Sequence, residues 1–378
     1  MKYLCLLLYV TALTCHAQQP SPEVKAAKLF EQMDLNHDGQ LDRQELPERL
    51  RAHFDRVNTD KSGSISKAED LKALSRSKGP DAKTSPRSIP SGIEALLDLP
   101  YADSDNPRQK LDLYLPKTRS SEQTLPVIAF IHGGGWKGGD KASGLNNLAR
   151  FVQSGHYAGI SIGYRLTNEA RWPAQIHDCK AAIRWIKANA KEHGFDASKI
   201  AVWGTSAGGH LVSFLGTSSD VKELEGKLGK HLDQTSQVTC VVNYFGPENF
   251  LTMVRQRSSV DRSKGKEYPE ALLLGGPVLE REAAAKEASP VTHVSKGDAP
   301  FFTAHGNQDP LVPFAQGQEL QAALQKAGVP SLFQEMTNGG HGFKNSILDE
   351  RVTQFLDLHL RGISTEIVTA PIVVEERK

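Results

Sequence analysis

The sequence has almost no net charge. Its 45 Lys and Arg residues against 44 Asp and Glu leave a formal +1. No strong field exists to gather nucleic acid or an acidic membrane surface, so neither is expected as a partner. Cysteine is equally scarce. Of four, Cys5 and Cys15 fall in the first 17 residues, which leaves Cys179 and Cys240. There is no C-x-x-C and no zinc-type spacing. Cys240 sits in a strand-like run and reads as a small buried hydrophobe. Two distant cysteines in a large domain give little support for a disulfide, and none is expected. Long apolar runs are missing too. Residues 3–13 are apolar, follow Lys2, and precede Thr14-Cys15-His16-Ala17. That run is too short to cross a bilayer but suits a signal peptide cut after Ala17. A secreted or periplasmic location is therefore expected, with no transmembrane segment in the mature chain. Lipidation at Cys15 would need a better preceding residue than Thr14.

What is present divides the chain. Residues 18–78 are charged, helical in pattern, and carry two Asp/Asn/Gly-rich loops. Residues 79–92, with three prolines and three serines, read as a linker. From 93 to 362 apolar strands alternate with amphipathic helices, the mark of an α/β fold with a mostly parallel sheet. Strands are expected at 126–131, 157–162, 200–203, 238–244, 300–305 and 332–336, and an earlier half-exposed one at 111–115. Helices are expected at 174–190, 314–327 and near 347–360. The tail, 363–378, gives no clear signal.

Gly204-Thr205-Ser206-Ala207-Gly208 fits G-x-S-x-G between a short strand and a helix-like stretch. A serine on such a sharp turn needs small neighbours so that strand and helix can approach. Ser206 is thus the candidate nucleophile. His132-Gly133-Gly134-Gly135-Trp136 follows the central strand, and its glycines expose backbone N–H groups suited to an oxyanion. His132 precedes the nucleophile and reads as a structural hydrogen-bonder. The orienting acid and the base should follow the serine in that order. Asp309, just after the 300–305 strand, and His341, between glycines after the last strand, fill those places. Asp298, His293 and His305 fit the strand ends less well.

These motifs resemble the α/β-hydrolase esterases, in the branch carrying HGGGW and GTSAGG. That branch includes hormone-sensitive-lipase-like and feruloyl or acetyl esterases. The resemblance covers nearly all of 93–362 and extends to Tyr164-Arg165-Leu166, Pro173, Asp178 and Ala288-Ser289-Pro290. It implies an α/β-hydrolase fold and a serine carboxylic ester hydrolase that needs no catalytic cofactor. It also implies an oxyanion hole from Gly134, Gly135 and Ala207. Tyr164, Arg165 and Asp178 are read as scaffold. Trp136 lines either the pocket or the core. Residues 220–237 and 250–288 are both candidate caps.

Residues 34–45 match an EF-hand calcium loop. Asp34, Asn36, Asp38 and Asp42 supply side-chain oxygens, Gln40 a carbonyl, Gly39 the turn, and Glu45 the bidentate twelfth ligand. The second loop, 58–69, offers Asn58, Asp60, Ser62, Ser64 and Glu69 around Gly63. With fewer charges it should bind more weakly or act as a structural partner. The pair resembles the compact EF-hand modules of secreted bacterial enzymes, where calcium would stabilise rather than signal. A small-molecule or carbohydrate ester is the expected substrate. Three other readings stay open at this stage: an amidase or peptidase using the same triad, a non-catalytic protein that binds a ligand in a hydrolase-fold pocket, and an acyltransferase that shares the covalent step but excludes water from the second one.

Overall fold

A computed structural model describes residues 30–46, 51, 54–58, 60–69, 88–120, 124–256, 258, 262 and 268–375. The expected signal peptide, Cys15 and most of the linker lie outside the described residues. The chain divides into two compact units, Met1–Ser88 and Ile89–Lys378.

In the first unit β1 (Gln40–Asp42) pairs antiparallel with β2 (Ser64–Ser66), which sets Leu41 opposite Ile65. Both apolar side chains turn into a small core with Phe30, Leu46 and Phe54.

Among the described residues the second unit is built on a nine-stranded sheet in the order β11-β10-β9-β8-β7-β5-β6-β4-β3. Its strands are β3 (Ile93–Pro100), β4 (Lys110–Pro116), β5 (Leu125–Ile131), β6 (Ala158–Ile162), β7 (Phe195–Thr205), β8 (Cys240–Tyr244), β9 (Phe301–Gly306), β10 (Ser331–Thr337) and β11 (Ile372–Val373). From β6 through β11 the pairs are parallel, while β4 runs antiparallel to both β6 and β3. Strand parity sorts the core. In β5, Val127, Ala129 and Ile131 face one apolar cluster and Ile128 and Phe130 the other. Helices α1 (Leu145–Gln153), α2 (Ala174–Ala188), α3 (Ala207–Thr217), α4 (Pro269–Leu274), α5 (Ala315–Ala327) and α6 (Ser346–Leu356) complete the layers named below. Leu148 and Val152 of α1 join Val352 and Phe355 of α6 on one face, and Ile176 and Ile183 of α2 join Leu211 and Leu215 of α3 on the other. Each such side chain, once fully buried, stabilises by about 1.5–3 kcal/mol.

The strand at 111–115 is not half-exposed. β3 and β6 pair with its two edges and both faces are covered, so even Asp112 is fully buried. Asp112 Oδ1 accepts the Asp98 N–H at 2.9 Å and lies 3.5 Å from Lys141 Nζ. In the tail, which carries no clear sequence signal, Ile372 and Val373 pair with Met336 and Thr337 of β10. Cys179 and Cys240 are free and buried.

The strand order reverses at β5, since β6 lies on one side of it and β7 on the other. In open α/β sheets the crevice beyond the carboxyl ends of strands at such a switch is where ligands bind. Here it is bounded by His132-Gly133-Gly134-Gly135 after β5 and Ser206 after β7.

Candidate active site

Ser206 stands between β7 and α3 with φ 54° and ψ −120°. Such a conformation is strained for a non-glycine residue and persists only where its surroundings enforce it. They do so here. The Ser206 N–H donates to Tyr244 O at 2.9 Å and Ser206 O accepts from His210 N–H at 3.0 Å. A Cβ on Gly204 would stand 2.2 Å from Gly208 O, and one on Gly208 would stand 2.1 Å from Ile131 O. The glycines of the motif are therefore fixed by backbone contact with each other and with β5.

Asp309 follows β9 and His341 follows β10. Asp309 Oδ1 accepts the N–H groups of Leu311 and Val312 at 2.8 and 2.9 Å, which locks the carboxylate plane. Its Oδ2 accepts from His341 Nδ1 at 2.7 Å, and His341 Nε2 lies 2.9 Å from Ser206 Oγ. With Nδ1 as donor, Nε2 is left to accept the serine proton. The Phe245 ring stands 4.7 Å from the imidazole. Thus Ser206, His341 and Asp309 form one hydrogen-bonded relay across 135 and 32 residues of sequence separation.

Burial pushes the Asp309 carboxyl up, but the facing imidazoles of His305 and His341 and the Val312 N–H outweigh it and hold the group well below the ordinary carboxylate range. His305 Nε2 lies 3.0 Å from Val312 O and 3.6 Å from Asp309 Oδ2. It therefore donates to the carbonyl while staying within electrostatic reach of the acid. A depressed folded-state pKa gives stability that is present above the unfolded value, about 4, and is lost as pH falls through and below it. The stability advantage of wild type over Asp309→Asn, read from urea denaturation, should therefore shrink between pH 7 and pH 3. A gap that widens on acidification would contradict this.

The relay opens into a cavity of about 520 Å³. Gly134, Gly135 and Ala207, the candidate oxyanion donors, all line it beside Ser206 and His341. Gly134 and Gly135 have φ of 114° and 59°, and a Cβ on Gly134 would meet Gly138 O at 2.4 Å. His132 stays out of the relay. Its Nδ1 contacts Gly133 O at 2.8 Å, its ring stacks on Tyr164 at 4.4 Å, and burial pushes its pKa down to about 4. Tyr164 Oη donates to His132 O at 2.9 Å, while the fully buried Asp178 pairs with the half-buried Arg165 at 2.7 Å. Trp136 lines the cavity and is also 1% exposed within the core, so its two readings coincide. Asp298 is spent on Ser295, and His293 contacts Glu287 O.

Sequence reasoning missed much of the opposite wall: Phe245, Pro247, Arg262, Glu270, Leu311 and Val312. Arg262 and Glu270 belong to the 250–288 segment, so this one of the two candidate caps reaches the cavity.

In the first unit the two loops share one backbone. The fourth and sixth positions are left-handed in both: His37 and Gly39 at 59° and 80°, Lys61 and Gly63 at 58° and 97°. Each twelfth residue folds back on its loop. Glu45 accepts from Leu35 N–H and Asp42 N–H, and Glu69 accepts from Asp60 N–H and Ser66 N–H. Asp34 accepts from Asp38 and Gly39 N–H, and Asp38 from Gln40 N–H. Asn36 and Asp38 are bonded to each other, as are Ser64 and Gln40. Among the described residues no group of three or more His, Cys, Asp or Glu side chains converges as metal ligands. The loop path and the all-oxygen donor set nonetheless fit a hard cation such as calcium.

Comparison with known proteins agrees with this architecture. An EF-hand family model matches residues 26–48. Esterase LipC of Mycobacterium tuberculosis is 30% identical over 63% of this chain and 58% of its own length; Esterase LipQ of the same organism is 27% identical over 68% and 61%. The chain thus spans about three fifths of the curated relatives it matches. Among solved structures, a truncated carbohydrate esterase from gut microbiota has a TM-score of 0.64 at 32% identity, covering 71% of this chain and 96% of the other. A bifunctional GH43-CE protein of Bacteroides eggerthii reaches 0.63 at 32%, covering 71% and 35%. The BD-FAE family model matches residues 111–324, more than half the sequence, and the chain belongs to that family of esterase-type α/β hydrolases.

Proposed function

We propose that this protein is a serine esterase that hydrolyses carboxylic esters through an acyl-enzyme on Ser206. The observation that carries the reading is the relay itself, with Nε2 of His341 2.9 Å from Ser206 Oγ and Nδ1 held by Asp309. Ser206 Oγ attacks the ester carbonyl carbon as His341 takes its proton. Gly134, Gly135 and Ala207 offer backbone N–H groups to the oxyanion. The imidazolium, stabilised by Asp309, returns the proton to the departing alcohol. Water, deprotonated by the same imidazole, then releases the acid. The test is a panel of p-nitrophenyl acetate, butyrate and octanoate beside the matching anilides. Cleavage of the esters, with the anilides untouched or far slower, supports the reading. Faster turnover of the anilides would make the protein an amidase.

The substrate we assign is an acylated carbohydrate. The support is the gut-microbiota relative described as a carbohydrate esterase, which is 32% identical and matched over 96% of its length. We also assign calcium to the first loop, held by Asp34, Asn36, Asp38, Asp42 and Glu45 with the Gln40 carbonyl, and more weakly to the second. Its role is to stabilise the first unit by binding only the folded form. Calorimetric titration of the full chain with calcium should give at least one site, and Glu45→Gln should weaken the tighter one by about tenfold or more. No heat of binding in wild type would remove calcium from the account. Export through the apolar N-terminus completes the reading, and the mature N-terminus read by mass spectrometry tests it.

A further inference from the structure

The turn that follows β8 touches both halves of the relay. Tyr244 O accepts the Ser206 N–H at 2.9 Å. The next residue, Phe245, lays its ring 4.7 Å from the His341 imidazole. It does so from a backbone φ of 42°, in the left-handed region that a bulky residue enters only under constraint. Such strain persists where the surroundings over-determine it, and it gathers at functional sites.

The constraint can be followed bond by bond. The Phe245 N–H donates to Ala304 O of β9 at 2.9 Å, and the Gly246 N–H donates to Asn243 Oδ1 at 3.1 Å. Asn243 is oriented in turn by Glu248. Its Nδ2 donates to Glu248 Oε1 at 2.8 Å, and Ser213 Oγ of α3 donates to the same oxygen at 3.2 Å. Asn243, Glu248 and Ser213 are all fully buried. The far end of the turn is fastened to α5, where Gln316 Oε1 accepts the Glu248 and Asn249 N–H groups at 2.9 and 2.7 Å.

Glu248 Oε2 is buried and has no hydrogen-bond partner. Burial drives the carboxyl well above its ordinary pKa, and the neighbouring Glu319 adds to the shift. Glu248 is therefore a neutral acid, with Oε1 as the carbonyl acceptor of two hydrogen bonds. A buried polar group left half-satisfied demands a reason, and its place at the root of the Phe245 turn supplies one.

We propose that Asn243 and Glu248 are positioning residues: they hold the strained Phe245 so that its ring fixes the His341 imidazole against Ser206. The proposal rests on the reading of Ser206, His341 and Asp309 as the esterase relay.

The experiment compares full-length wild type with Glu248→Ala, Glu248→Gln and Asn243→Ala on p-nitrophenyl acetate. Both alanine variants should lower kcat by at least about tenfold with KM within about twofold, because a misaimed imidazole slows the chemistry rather than binding. Glu248→Gln restores a neutral carbonyl oxygen for Asn243 and Ser213, so kcat should return to within about threefold of wild type. Folded alanine variants that keep kcat within about twofold, a loss carried by KM alone, or a Glu248→Gln as slow as Glu248→Ala would each overturn the proposal. Should the alanine variants not fold, Phe245→Leu decides, since it keeps the strap and removes the ring. A kcat lowered about tenfold supports the role, and one within about twofold overturns it. If wild type hydrolyses no ester, the esterase reading fails by itself. The readout is then the downfield resonance of the proton between His341 Nδ1 and Asp309, identified by its loss in Asp309→Asn. A resonance shifted or lost in Asn243→Ala supports the positioning role. An unchanged resonance, or none in wild type, overturns it.

Discussion

Replacing Ser206 with alanine should lower kcat on p-nitrophenyl acetate by at least about 10³-fold, with KM changed far less. The hydroxyl is presented by a strained turn and meets one acceptor, His341 Nε2. Alanine removes the nucleophile without touching the glycine contacts that hold the turn, so the fold should survive. What remains is the contribution of backbone donors and binding alone. Asp309→Asn should follow the same trend, because an amide at Oδ2 no longer holds the Nδ1-protonated imidazole. Stopped-flow or steady-state hydrolysis checks both. A Ser206→Ala enzyme within about tenfold of wild type would remove Ser206 from the chemistry.

The second large effect concerns stability. Asp178 is fully buried and accepts from the Arg165 N–H at 2.8 Å, Arg165 Nη2 at 2.7 Å, Arg165 Nε at 2.9 Å and Gln109 Nε2 at 2.9 Å. Asp178→Ala leaves the guanidinium, the amide and a backbone N–H without this acceptor. Breaking a buried pair on one side costs about 3–5 kcal/mol. Arg165 keeps partial contact with solvent, so the lower end applies. For a domain of this size that corresponds to a Tm lower by roughly 5 °C. Activity should fall as well, because Arg165 is next to Tyr164, which carries His132 and the glycine loop. A thermal melt within about 1 °C of wild type would show that the pair is not the anchor its geometry suggests.

The parts of the site that were readable in the sequence are those fixed by short-range sterics. Gly204 and Gly208 have no alternative residue, because any Cβ strikes backbone, so the motif shows in five consecutive residues. The order of serine, acid and histidine follows from strand ends that a parallel sheet brings to one side. What was not readable depends on tertiary neighbours. β3 is largely exposed along its length and β11 is only two residues, so neither leaves a strong periodic pattern. Asp112 looked like a solvent-facing residue of an alternating strand until Lys141 covered it. β7 begins at Phe195, several residues before its apolar run, because the polar Asp196, Ser198 and Lys199 interrupt the pattern. Arg262 and Glu270 carry no local signal at all. Their pairing joins Glu270 of α4 to Arg262, and residues 263–267 between them lie outside the described ones.

On the proposed reading Ser206 is the nucleophile, activated by His341 and Asp309. The most direct measurement is intact-mass and peptide-level mass spectrometry after treatment with an alkyl fluorophosphonate. One phosphonyl adduct per chain is expected, located on Ser206, absent from Ser206→Ala and formed far more slowly in His341→Ala. A wild-type enzyme that hydrolyses esters yet takes no adduct at Ser206, or an adduct that persists unchanged in Ser206→Ala, would contradict it.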